Sequence, residues 1–134
     1  MQLYGLTMYD MTEEYQESFF IGIFSSFEKA EQVAKTMLKE VSGFKDYSCR
    51  YEINEKNVVD GAGEPRKVNM IWGWDEDEFY NPVHIIESDL YRNRNKARVE
   101  LQMLQEKYVR QEWCIDQYEI DDIHWKEGFI KAQD

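Results

Sequence analysis

Apolar residues fall in step along two stretches of the chain. Ala30, Ala34, Met37 and Val41 stand at offsets 0, 4, 7 and 11, and so do Ala97, Leu101, Leu104 and Tyr108. That spacing marks one face of an α-helix, and Val33 and Leu38 widen the first stripe. The first helix has a start signal in Ser25, with Glu28 three residues on closing a capping box. Ser42-Gly43 marks its end, glycine being usual just past a helix C-terminus. The second helix carries Arg92, Arg94, Lys96 and Arg98 at its start, where positive charge opposes the helix dipole. The chain before about Asn95 is therefore expected to be an ordered loop.

Strand-like runs flank both helices. Leu3-Tyr4-Gly5-Leu6-Thr7 matches Ile71-Trp72-Gly73-Trp74-Asp75, each a glycine between large residues. Ile21-Gly22-Ile23-Phe24-Ser25-Ser26 matches Val83-His84-Ile85-Ile86-Glu87-Ser88. Tyr51-Glu52-Ile53-Asn54 matches Tyr118-Glu119-Ile120-Asp121, and each tyrosine lies 21 residues after its helix alanine. The length differences are expected in loops: a longer hairpin in the first half and a longer helix entry in the second. Each half reads β-β-α-β.

The expected fold class is therefore α+β, a tandem duplication of a ββαβ unit. It has about six mostly antiparallel strands and two helices related by a pseudo-twofold. Residues 1–57 form the first repeat, 58–67 a polar, turn-rich connector and 68–130 the second, within one compact domain spanning 1–134. Asn57-Val58-Val59 can extend the strand before the connector. A lone repeat of roughly 65 residues buries too little to be stable, so the two are expected to share a core.

Composition narrows the function more than the fold. The 134 residues carry 27 acidic and 16 basic side chains, a formal charge of −11. Such a surface repels phosphate and anionic lipid, which argues against nucleic acid and membrane as partners and permits a basic protein partner. No basic-then-apolar leader opens the sequence, and no apolar run nears the roughly 18 residues a membrane helix needs. A cytoplasmic protein, monomer or homodimer, is the expectation. Cys49 and Cys114 lack disulfide-framework or metal spacing and read as buried small hydrophobes.

Ile21-Gly22-Ile23-Phe24-Ser25-Ser26-Phe27-Glu28-Lys29-Ala30-Glu31 resembles the G-[IVF]-[FY]-S-S-x-E-K-A-E stretch of small uncharacterised bacterial domains. Gly43-Phe44 after the helix and the closing Trp125-Lys126-Glu127-Gly128-Phe129, a W-x-E-G-F segment, are similar to the same group. The resemblance implies fold and a bacterial or phage origin, and no activity.

Candidate chemistry is sparse. Val68, Met70, Trp72 and Trp74 alternate onto one strand face, which either packs under the helices or forms a recognition surface. Asp75-Glu76-Asp77-Glu78 either solvates a hairpin loop or meets a basic partner. It lacks the alternating ligands and sixth-position glycine of a calcium loop. Glu13, Glu14 and Glu17 place acid in the matching first hairpin. The Arg92, Arg94, Lys96 and Arg98 cluster reads as counter-charge for those carboxylates or as an oligomer contact. No glycine-rich phosphate cradle accompanies it. His84 and His124 have no metal ligand or nucleophile at useful spacing.

No catalytic, metal or cofactor residues are therefore assigned. The expected function is a non-catalytic acidic protein-binding module, immunity-protein-like or inhibitor-like. Its candidate contacts are Trp72, Trp74, Asp75, Glu76, Asp77, Glu78, Arg92 and Arg94. The alternative is a small-ligand-binding or sensing domain using a cleft between the repeats.

Overall fold

The computed structural model describes residues 1–12 and 16–131. The elements run β1 (Gln2–Asp10), β2 (Ser18–Phe24), α1 (Phe27–Glu40), β3 (Cys49–Asn57), β4 (Lys67–Glu76), β5 (Pro82–Tyr91), α2 (Arg94–Lys107) and β6 (Glu112–Glu119). Six antiparallel strands form two three-stranded sheets, ordered β2-β1-β3 and β5-β4-β6. The fold is α+β, and the two similar sheets, each with its helix, point to a duplicated unit. The direction of β3 along β1 is fixed at both ends. Met11 donates to the Ser48 carbonyl at one end and Val58 to the Met1 carbonyl at the other.

The chain divides into two compact units. The first comprises Gln2–Lys56 with Glu119–Asp134, and the second comprises Asn57–Tyr118 with Met1. In the first, Leu6, Met8, Phe19, Ile21 and Phe24 of the sheet bury against Ala30, Ala34 and Met37 of α1 and against Phe44. Each large apolar side chain so buried contributes roughly 1.5–3 kcal/mol. In the second, Val68, Met70, Ile71, Leu90, Ala97 and Tyr118 are buried. The predicted stripe is deep in α1 but shallow in α2. There Ala97 is buried, Leu101 and Leu104 are half-buried and Tyr108 is exposed.

The helices have equal length and matching caps, but not the ones expected. Ser26, not Ser25, caps α1, its hydroxyl accepting from the Lys29 amide at 3.2 Å. The Ser25 hydroxyl is committed to the Asp121 carboxylate instead. Helix α1 stops at Glu40 because Val41 is already extended, two residues short of the expected Ser42-Gly43 end. Asn93 caps α2 by accepting from the Asn95 amide at 2.8 Å, so Arg94 is already helical, and only Arg92 and Asn93 separate it from the end of β5 at Tyr91.

The residue correspondence between halves also differs from the expected one. Three residues before each cap stand Ile23 and Leu90, which pair with Gly5 and Met70. Met70, not Gly73, is thus the counterpart of Gly5. Met8 and Gly73, the seventh residues of their strands, pair with Phe19 and Ile86. Phe19 through α1 therefore corresponds without a gap to Ile86 through α2, and there is no longer helix entry. The extra residues of the second half lie in its hairpin, between Asp75 and Ile86. One of the two is taken up by a bulge in β5, where His84 takes φ 52. Tyr51 is third in β3, whereas Tyr118 is seventh in β6, because residues 41–48 link α1 to its strand and only 108–111 link α2 to its own. Period-two patterns fit several registers, and the tyrosine match had selected one that the backbone does not use.

The connector does not simply extend β3. Val58 forms a parallel bridge to Leu90, and Val59 donates to the Leu90 carbonyl at 2.9 Å.

Candidate functional site

Each helix entry is held by an aspartate from a distant segment. The Asp60 carboxylate accepts from the Arg92 amide at 2.7 Å and the Asn93 amide at 2.9 Å, while Arg92 Nε donates to the Asp60 carbonyl at 3.0 Å. Burial works to raise the Asp60 carboxyl. The two amide bonds and the charge of Lys96 outweigh it and hold the group below the usual carboxylate range. Gly61, at φ 75, lies against Arg92, where a Cβ would collide with that side chain. Arg92 and Lys96 both bear on Asp60. Arg92 is half-buried, and Arg94 is exposed.

Asp121 does the same for α1. It accepts from the Ser25 amide at 2.7 Å and from Lys29 Nζ at 3.1 Å. Burial again works against the charge, and the Ser25 and Lys29 bonds prevail.

The chain beyond Asp121 covers the first unit. Asp121 and His124 donate to the Ile23 and Ile21 carbonyls of β2 at 2.8 and 2.6 Å. Phe129 stacks on Phe19 with centroids 4.9 Å apart and meets Phe44 edge-on at 5.3 Å. Trp125 lies 5.7 Å from Phe19 and donates to the Gly128 carbonyl. Phe129 donates to the Ser42 carbonyl, and Gly43 and Gly128 are the two residues that permit this approach. The Gly43-Phe44 and Trp125–Phe129 motifs are thus two sides of one contact. Lys131 closes it with an ion pair to Asp10 at 2.9 Å and a bond to the Thr12 hydroxyl.

The acidic run occupies the end of β4 and the turn into β5. Asp75 faces His84 Nδ1 at 3.2 Å. Asp77 is structural: its carboxylate accepts from the Phe79 amide at 2.8 Å and the Asn81 amide at 2.9 Å. Those bonds hold its pKa down. Glu76 and Glu78 are exposed. The turn carries Phe79, 73% exposed, and Tyr80, 81% exposed with φ 64. Neither was singled out from sequence. The available signal was an aromatic pair between an acidic run and Asn81-Pro82, where a turn has no need of apolar residues. Of the matching first hairpin, Glu17 is exposed, and Glu13 and Glu14 lie outside the described residues.

Trp72 and Trp74 are both half-buried. The Trp72 indole donates to the Tyr118 hydroxyl at 2.8 Å, and burial pushes that phenol's pKa up. Asp75, Glu76 and Glu78 thus lie at the end of β4 and in the same turn as the exposed Phe79 and Tyr80. The structure assigns Asp77 and Arg92 to local architecture. Cys49 and Cys114 are half-buried thiols rather than fully buried ones, and burial raises both. Among the described residues, no helix is long and apolar enough to cross a membrane.

No curated protein and no solved structure matches the chain. A family model described as Domain of unknown function (DUF7336) matches residues 3–62. That stretch holds nearly all of β1, then β2, α1 and β3, and reaches the Asp60-Gly61 turn. The Trp125–Phe129 segment that covers it lies outside the match. Over residues 3–62, therefore, the chain is similar to this domain of unknown function.

Proposed function

We propose that this chain is a non-catalytic protein-binding module, of the immunity or inhibitor kind, that meets a basic protein surface with its β4–β5 hairpin. The observation that carries the reading is the pair Phe79 and Tyr80. They stand exposed on a turn that Asp77 braces, with Glu76 and Glu78 beside them. Exposed aromatics on a rigid support lose little entropy on binding and dominate contact energies. The surrounding carboxylates and the −11 charge speed encounter with a cationic partner and weaken with salt.

The test places a photo-crosslinking amino acid at position 80 in the source cells. A discrete crosslinked protein of basic character supports the reading, provided that Phe79→Ala removes it. A lack of crosslink at position 80, with the protein folded and abundant, overturns it.

A further inference from the structure

The first unit shows what covers its own sheet, and the second unit presents the same positions open. In the first, the segment ending at Lys131 meets Ser42, Phe44 and Tyr47 of the α1–β3 link, which the shorter link after α2 does not repeat, and three positions that it does: Asp10, which pairs with Lys131; Phe19, which stacks on Phe129; and Val41, the C-cap of α1, which lies against Gly128. Their counterparts follow from strand position, strand pairing and capping. Asp75 is ninth in β4 as Asp10 is ninth in β1. Ile86 pairs with Gly73 as Phe19 pairs with Met8. Tyr108 is the C-cap of α2.

The contrast in burial is large. Phe19 is 6% exposed and Ile86 40%. The Asp10 side chain is 5% exposed and that of Asp75 37%. Tyr108 is 41% exposed. The open positions adjoin one another. The Trp113 ring lies over Gly73, which pairs with Ile86, and stands 6.3 Å from the Tyr108 ring.

We infer that this face of the second unit binds an extended segment of a partner protein in which an aromatic residue precedes a lysine by two places, as Phe129 precedes Lys131. The aromatic ring covers Ile86 beside Trp113 and Tyr108, and the ammonium pairs with Asp75 in place of His84 Nδ1, which lies 3.2 Å from that carboxylate. The inference rests on the protein-binding reading above and adds what the bound segment must look like. An apolar contact flanked by one carboxylate selects an aromatic–cationic pair, because leaving either the ring or the charge unmatched costs affinity.

The probe is a fluorescent peptide of residues 121–131 titrated with the full chain. Saturable binding is expected, weakened about tenfold or more by Asp75→Asn or Ile86→Asp in the protein and by Phe129→Ala or Lys131→Gln in the peptide. Asp10→Asn in the protein serves as control for exchange with its own C-terminal segment. Two results overturn the inference. One is no binding at millimolar peptide by a folded protein. The other is binding that ignores Asp75 and Ile86 and rises with Asp10→Asn. The peptide assay does not involve the native partner, so its failure is distinct from a silent hairpin crosslink.

Discussion

Asp121 accepts the Ser25 amide across 96 positions of chain, and Asp60 makes the equivalent bond to Arg92 across 32. The two aspartates do one job in different surroundings. Asp121 is exposed and Asp60 is buried. Asp121→Ala is expected to cost about 1 kcal/mol, the scale of a lost helix cap. Asp60→Ala strands two amides around a buried position and is expected to cost about 2–3 kcal/mol. Urea unfolding midpoints of the two variants check the order.

Gly128 sits at φ 71 against the Ser42 carbonyl, where a Cβ has no room. Gly128→Ala is expected to cost about 2 kcal/mol or more, through backbone strain and loss of the Phe129 contact. Thermal unfolding measures this.

Asp10, Asp60 and Asp121 all have carboxyl pKa values held below the usual carboxylate range. For each, burial opposes the charge and hydrogen bonds override it. The unfolded chain then binds protons more readily than the folded one. The stability these groups add is full above the unfolded pKa and is lost as pH falls through the lower folded values. Stability is therefore expected to hold from neutrality to about pH 5 and to fall away below about pH 4. Asp10→Asn should flatten that fall, and denaturant titrations across the acid range read it.

Tyr118→Phe removes the hydroxyl that accepts from Trp72 without opening a cavity. The expected cost is about 1 kcal/mol, with a shift in tryptophan emission. An unchanged spectrum would count against the bond.

The side chains of Phe79 and Tyr80 are largely exposed, and the turn's bonds to Asp77 come from their backbone amides. Replacing both with alanine should leave stability within about 0.5 kcal/mol of the parent, while removing partner contact. A large loss of stability would show that the turn needs them.

The fold was readable where the physics is local. The helix stripes at Ala30 and Ala97 lie within equal helices, because 3.6-residue periodicity is set by backbone geometry alone. Ser25 reads as a cap in the sequence because its true partner, Asp121, lies far along the chain. The strand matches at Gly73 and Tyr118 slipped register for a related reason: pairing partners and loop lengths decide register, and neither is local. At the candidate site, Asp75, Glu76 and Glu78 were visible as a charge run. Phe79 and Tyr80 were not, because exposure depends on what the rest of the chain leaves uncovered. Arg92 read as surface charge, and only the connector's path to it reveals Asp60 beneath.

The stretch that resembles the domain of unknown function ends at residue 62, whereas the segment that shields its Phe19 begins after residue 118. Because the shield is carried by the same chain, its docking is intramolecular. Closure of the first unit is then independent of how much protein is present. A chain consisting of the matched stretch alone would have to borrow its shield from another molecule, and its folding would become second order in concentration.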